Sequence, residues 1–265
     1  MIVELNNRSL LKISGNDAKV FLQSQFSNNI NVIQSQEIQL NAYCQHQGKI
    51  VAILWVFKKN NNFYISLPSD LKDILVEKLN IFKMMSDVII EDFSSQINQY
   101  GVIDENSDNY FKIINNLSLY TSSKSIATNA DYHLWEKACI DNNLPEINLL
   151  NSERFIPQAL NLDVNEIGVS FNKGCYPGQE VVARMHYLGK PKRRLFYFLS
   201  EFKASIGDLI NVQGSKSLKA SGVVIRVAKI NEKYHLMATF EINHINDSIY
   251  LNNDINKPLN IINDK

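Results

Sequence analysis

The chain has 265 residues, 45% of them hydrophobic, with 27 basic and 27 acidic side chains. Such an apolar content excludes a disordered polypeptide. The charge balance excludes a global field that would draw nucleic acid or an anionic membrane to the whole surface, so any basic partner surface must be local.

The first segment, "MIVELNNRSLLKI", lacks the basic start, apolar core and small-residue cleavage site of a signal peptide. No apolar run, "IVAILWVF" included, is long enough to span a bilayer, and the expected compartment is the cytoplasm. "NDAKVFLQSQF" sets Ala18, Phe21, Leu22 and Phe26 near helical spacing behind an Asn16 cap. "KIVAILWVFKKNNNFYISL" reads as a hairpin turning at Asn60–Asn62. A helix over "SDLKDILVEKLNIF" places Leu71, Ile74, Leu75, Leu79 and Phe82 on one stripe. Short strands are expected around Val88–Ile90, Tyr100–Ile103 and Phe111–Ile114, and an amphipathic helix over Asp131 to Asn142. Beyond Pro191 the pattern changes to strands alone, "RRLFYFL", "DLINV", "ASGVVIRVAKI" and "YHLMATFEI", as in a small barrel.

Cys44, Cys139 and Cys175 stand far apart, an odd set without a CxxC pair, which argues against a disulfide framework and a zinc site. An iron–sulfur cluster normally takes four thiolates, more than one chain supplies here. The chemistry concentrates in "SFNKGCYPGQEVVARMHYLGKPKRR", Ser170 to Arg194. "GVSF" reads as a short strand, "NKGCYPG" as a turn and "QEVVARMHY" as a helix carrying Val181, Val182 and Met185. Gly174 and Gly178 permit backbone angles or close approaches that a side chain forbids. Cys175 precedes a helix start and neighbours Lys173, two features that favour a thiolate. The competing interpretation of Cys175 is a small buried hydrophobe. Glu180 and Arg184, four apart, can pair along the helix.

"FNKGCYPGQEVVAR" closely resembles the signature of the folate-binding YgfZ family, relatives of the glycine-cleavage T-protein. Lys173, Gly174, Cys175, Tyr176, Gly178, Gln179, Glu180, Ala183 and Arg184 match it, as do Gly189, Lys190, Lys192 and Arg193 in the basic segment beyond. "RFIPQALNLD" resembles a second family stretch through Phe155, Pro157, Gln158, Asn161, Leu162 and Asp163, and "GNDAKVFLQSQF" resembles the family's opening. The resemblance implies an α+β fold: two interleaved α+β subdomains over 1–190 and a carboxy-terminal β-barrel over 191–262, arranged as a ring. It implies tetrahydrofolate or a one-carbon derivative as cofactor, and support of iron–sulfur enzymes, including the radical enzymes that thiolate tRNA, as the role.

Departures narrow the chemistry. Where T-proteins carry two aspartates, "GKIVAI" has Ala52 and Ile53, and Asn29 replaces a further acid. An aminomethyltransferase needs a carboxylate near the folate amine, so that activity is not expected. Lys49 stands for an arginine of the family, and Asn143 for a glycine. For folate, a pterin edge calls for a carboxylate or amide reader. The resemblance points to Asp141 and Gln158, with Tyr176 either stacking on the ring or filling core, and Lys190 and Arg193 able to meet the glutamyl tail. Trp55 and Trp135 are expected in the core. The run "GKPKRR" holds no aromatic residue in a chain of zero net charge; it reads first as a solvated linker, then as a site for the glutamyl tail, and direct RNA binding is not expected. The expected partners are folate and, transiently, iron–sulfur enzymes or assembly factors, with the chain a monomer. The rival function is a folate-dependent one-carbon transferase using Cys175.

Overall fold

A computed structural model describes residues 1–214 and 220–262. β1 (Ile2–Glu4) is followed at once by β2 (Arg8–Ser14), yet the two enter different sheets. β2 joins β3 (Gln39–Cys44), β4 (Ile50–Lys59), β5 (Asn62–Pro68) and β6 (Ile89–Asp92) in a five-stranded sheet of order β3-β4-β5-β2-β6. β1 pairs instead with β7 (Asn98–Ile103), at the edge of a four-stranded sheet completed by β9 (Leu117–Ser122) and β8 (Phe111–Ile114). The chain therefore starts one sheet, builds the other, and returns. This is the interleaved α+β arrangement that the resemblance implied.

β4 is central because both of its faces are covered. Ile53, Leu54 and Val56 pack in the core beneath α1 (Ala18–Gln25) and α2 (Lys72–Phe82), while Trp55 and Phe57 pack toward the four-stranded sheet and α3 (Tyr132–Asp141). A strand buried on both faces needs no polar alternation, which explains the unbroken "IVAILWVF". Trp55 and Trp135 meet edge to face at 6.2 Å in that second core. Asn60 and Asn61 take positive φ in the β4–β5 turn, the conformation a tight hairpin demands and asparagine tolerates.

Three local expectations are corrected. Asn16 does not cap α1: its amide donates to the Asp87 carboxylate at 2.7 Å, a charged acceptor, and Asp17 holds the cap position. The α2 stripe ends early, with Leu71, Leu75 and Leu79 fully buried and Phe82 exposed where the last turn overhangs the core. "GVSF" forms no strand; Ser170 N donates to Ser27 O, with no ladder to continue it.

The remaining strands are β10 (Arg193–Ser200), β11 (Leu209–Val212), β12 (Gly222–Ile230), β13 (Lys233–Glu241), β14 (Ile249–Leu251) and β15 (Asn260–Ile261), in the order β14-β11-β12-β13-β10-β15. The edges nearly close into a barrel, since Leu259 N reaches Ile249 O at 2.9 Å just before β15 begins. Its interior holds Phe198, Val224, Leu236, Ala238 and Phe240. β12 carries a bulge between Val224 and Arg226. Strict alternation would send Arg226 inward with Val224; the extra residue turns it outward, as bulges do when they re-aim a side chain. Among the described residues no helix is long and apolar enough to cross a membrane.

Candidate functional site

The segment around Cys175 hangs between two anchors. Upstream, Lys173 Nζ donates to the carbonyls of Gln23 (2.6 Å), Asn28 (3.0 Å) and Phe26. These lie at the carboxy-terminal end of α1, where helix carbonyls lack intrahelical partners and a cation is favoured. Burial pulls the Lys173 pKa down to about 8, against three carbonyls that stabilise its charged form. Lys173 is thus tied to the helix end, two residues before Cys175.

Downstream, Gly178 takes φ of +81°, and a Cβ there would lie 2.5 Å from Gln45 O and 2.7 Å from Gly48 Cα. Gly48 itself has φ of +76° in the tight β3–β4 turn. The two glycines let the turn and the start of α4 (Gln179–Leu188) meet backbone to backbone. Between the anchors Tyr176 is buried, with the Lys173 ammonium 5.2 Å from its ring centre. Of the two alternatives for Tyr176, the buried setting fits core filling.

Gly174 and Cys175 bulge from this frame. Cys175 is exposed, whereas Cys44 and Cys139 are buried, and burial pushes the Cys44 thiol up to about 12. Gly174 has open space where a Cβ would stand and no positive φ, so neither packing nor backbone geometry requires a glycine there. Gln179 opens α4 half-buried. Glu180 and Arg184 are both exposed and form no ion pair, correcting the expected helix brace; an exposed pair at this spacing contributes only ~0.3–0.5 kcal/mol.

The expected folate contacts do not converge. Asp141 lies on a cleft of about 720 Å³ with Asn143, Asn161, Arg194 and Tyr197, where Lys137 pairs with it at 2.6 Å. Gln158 is fully buried and donates to Val182 O at 2.8 Å, tying the turn at Pro157–Leu160 to α4. Arg193 is taken by Glu241 at 2.8 Å; it is Arg194, held by the Asp163 carboxylate, that lines the cleft. Lys190 is exposed and lines neither the Asp141 cleft nor the Arg226 cleft. Gln158, Arg193 and Lys190 therefore stand away from the expected pocket, because packing and ion pairing have claimed the first two.

A second cleft, of about 430 Å³, lies between the five-stranded sheet, α3 and the barrel. Asn7 comes from the β1–β2 turn, Pro68 from β5, Tyr132 and Glu136 from α3, and Arg226 from β12. Both carboxylate oxygens of Glu136 lie 2.8 Å from Arg226 Nη1, and Arg226 Nε donates to Leu144 O at 2.9 Å. Glu146 bridges Arg226, 3.4 Å from its Nη2, to Arg8. Arg8 is held in turn by Ser66 Oγ at 2.8 Å and lies 3.6 Å from the centre of the Trp55 ring. Burial would raise the Glu146 carboxyl, but Arg8 and Arg226 outweigh it and hold the group below the ordinary carboxylate range. Among the described residues, the buried Asn148 Oδ1 of this cleft has no hydrogen-bond partner, and Arg226 Nη2 has only the long contact to Glu146.

Sequence inspection missed this quartet. Its only sequence trace is charge embedded in apolar pattern: Glu136 beside Trp135 on the buried stripe of α3, and Arg226 inside "GVVIRVAKI".

No protein-family model matches the chain. It is 31% identical over 241 residues to an uncharacterised protein of Haemophilus influenzae, covering 86% of this chain and 85% of that protein. It is 27% identical over 266 residues to the tRNA-modifying protein YgfZ of Aliivibrio fischeri, covering 89% and 83%. Among solved structures, the glycine cleavage system aminomethyltransferase T from Bartonella henselae matches with a TM-score of 0.67 over 99% of this chain and 84% of that one. At 10% identity that match concerns the fold alone.

Proposed function

Because the chain belongs to the YgfZ family, we propose that it is a tetrahydrofolate-binding accessory protein that serves tRNA modification by supporting assembly or repair of iron–sulfur enzymes. The observation that carries the folate part is the arginine–glutamate cleft, where Asn148 Oδ1 has no hydrogen-bond partner among the described residues and Arg226 Nη2 has only the 3.4 Å contact to Glu146. A pterin edge sets donors beside acceptors, and a buried unpaired acceptor with a donor that is only weakly engaged is the complement it requires. Burying such groups unpaired costs free energy that a ligand would recover. Glu136 and Glu146 would keep Arg226 oriented, while Ile206 and Ile225 supply apolar wall. Reduced folate, when bound, would present the ring nitrogens on which its derivatives carry a one-carbon unit. Relatives named as tRNA-modifying proteins support the tRNA part.

Cys175 is the proposed reactive group, because it is the exposed thiol on the family motif. Aminomethyl transfer is not expected: Ala52 and Ile53 are fully buried core residues, and Asn29 spends its side chain capping a turn. The cytoplasm is the expected place of action.

Calorimetry with reduced folate tests the cofactor. A saturable site is expected; Asn148→Ala should weaken it about fivefold, the effect of one lost hydrogen bond of ~1 kcal/mol, and Asp141→Ala should leave it unchanged. The reverse pattern would move folate to the Asp141 cleft, and the absence of heat at large ligand excess would overturn folate binding altogether. Catalytic conversion of labelled methylene-tetrahydrofolate under anaerobic conditions would replace the accessory role with a transferase.

A further inference from the structure

We propose that the exposed face of α4 and the segment following it bind a single-stranded stretch of RNA. The run Gly189–Arg194 contains no aromatic residue, but the fold brings three rings beside it. Phe171, from the cysteine loop, stacks on His186 with centroids 3.7 Å apart and planes 18° apart. Tyr187 meets His186 edge to face at 4.8 Å and is 65% exposed. Each ring fixes the next, so the outermost one is presented without the rotamer freedom of an isolated surface tyrosine.

Charge selects the partner. Arg193 and Arg194 are neutralised by Glu241 and Asp163, leaving Arg184, Lys190 and Lys192 exposed and without an ion-pair partner among the described residues. Arg184, Tyr187 and Leu188 share one helix face by their spacing of three and four residues. The single acid of the helix, Glu180, shares a face with Arg184 but forms no ion pair with it, so the excess of positive charge rests on Arg184, Lys190 and Lys192. In a chain of zero net charge, this is a local cationic patch set around rings. Phosphates complement the cations and base faces complement the rings, the combination by which single strands are held without sequence readout. A duplex keeps its bases stacked inside and offers the rings nothing. An apolar protein partner would leave three cations to be desolvated.

Fluorescence anisotropy with an unstructured oligoribonucleotide of about ten nucleotides decides the matter, with the same RNA in duplex form and polyglutamate as controls. The single strand should bind more tightly than either control. Tyr187→Ala should weaken it about tenfold while leaving the salt dependence intact. Lys190→Ala/Lys192→Ala should flatten the slope of log affinity against log salt by about 1.4, near 0.7 for each lost phosphate contact. Equal affinity for polyglutamate or duplex, or a Tyr187→Ala protein that binds like the parent, would overturn the proposal, as would no binding at low salt. Folate calorimetry on Tyr187→Ala should match the parent, so the outcome is separable from folate binding.

Discussion

The cysteine loop and the arginine–glutamate cleft hold functional groups by opposite means. The loop is fixed by backbone: Lys173 on the end of α1, and Gly178 against Gly48, with Cys175 between them in solvent. The cleft is fixed by side chains: two arginines and two glutamates, buried together and drawn from β2, α3, the segment after it and β12. An exposed group can change with little loss of stability, because water replaces whatever it touched. A buried charge cannot lose its partner without large loss, because nothing replaces it.

That contrast breaks most readily at Arg226. Arg226→Ala leaves Glu136 and Glu146 short of their counter-charge and should cost about 3–5 kcal/mol in urea unfolding, together with folate binding. A loss below about 1 kcal/mol would mean that water fills the cleft and already solvates the carboxylates.

Glu146→Gln should cost about 1.5–3 kcal/mol at neutral pH, the range for hydrogen bonds to charged groups. The folded-state pKa of Glu146 lies below the ordinary value of 4.5. Its ionised form therefore favours the folded state, with the full contribution present above about pH 4.5 and lost as pH falls through the lower folded value. Stability curves of parent and Glu146→Gln should converge on acidification below that point. Curves that stay parallel would show that the carboxylate charge contributes nothing.

At the loop, Gly178→Ala should cost about 1–3 kcal/mol, since the new Cβ meets Gln45 O while φ is +81°. Gly174→Ala, with open space and no positive φ, should be neutral or slightly stabilising. If the two substitutions cost the same in thermal unfolding, the backbone anchor at Gly178 is not what holds the loop.

The smallest stability effect belongs to Cys175→Ala, within about 0.5 kcal/mol as for other exposed sites. Its functional effect should be large: no restoration of iron–sulfur enzyme activity in cells lacking the protein. The Cys175 thiol should also alkylate faster than that of Cys44, which is buried with its pKa pushed to about 12. Full complementation by Cys175→Ala with an unreactive thiol would make the cysteine structural.

The sequence by itself determined the family and the fold class. It also located the helix over Tyr132–Asp141, the β4–β5 hairpin and the switch to strands after Pro191. Those features are written in local spacing, turn residues and one contiguous motif. Short strands such as β1 and β14 escaped because three residues carry no period, and their existence depends on partners far along the chain. Only the tertiary structure decided that Lys173 serves the end of α1, that Arg193 is spent on Glu241, and that Glu136, Glu146, Arg8 and Arg226 form one cluster. The last two of these pairings cross separations of up to 138 residues, as between Arg8 and Glu146. No local pattern encodes such a pairing. A charge in an apolar stripe signals only that some partner is needed; the bulge in β12 and the packing of α3 between β2 and β12 choose which one.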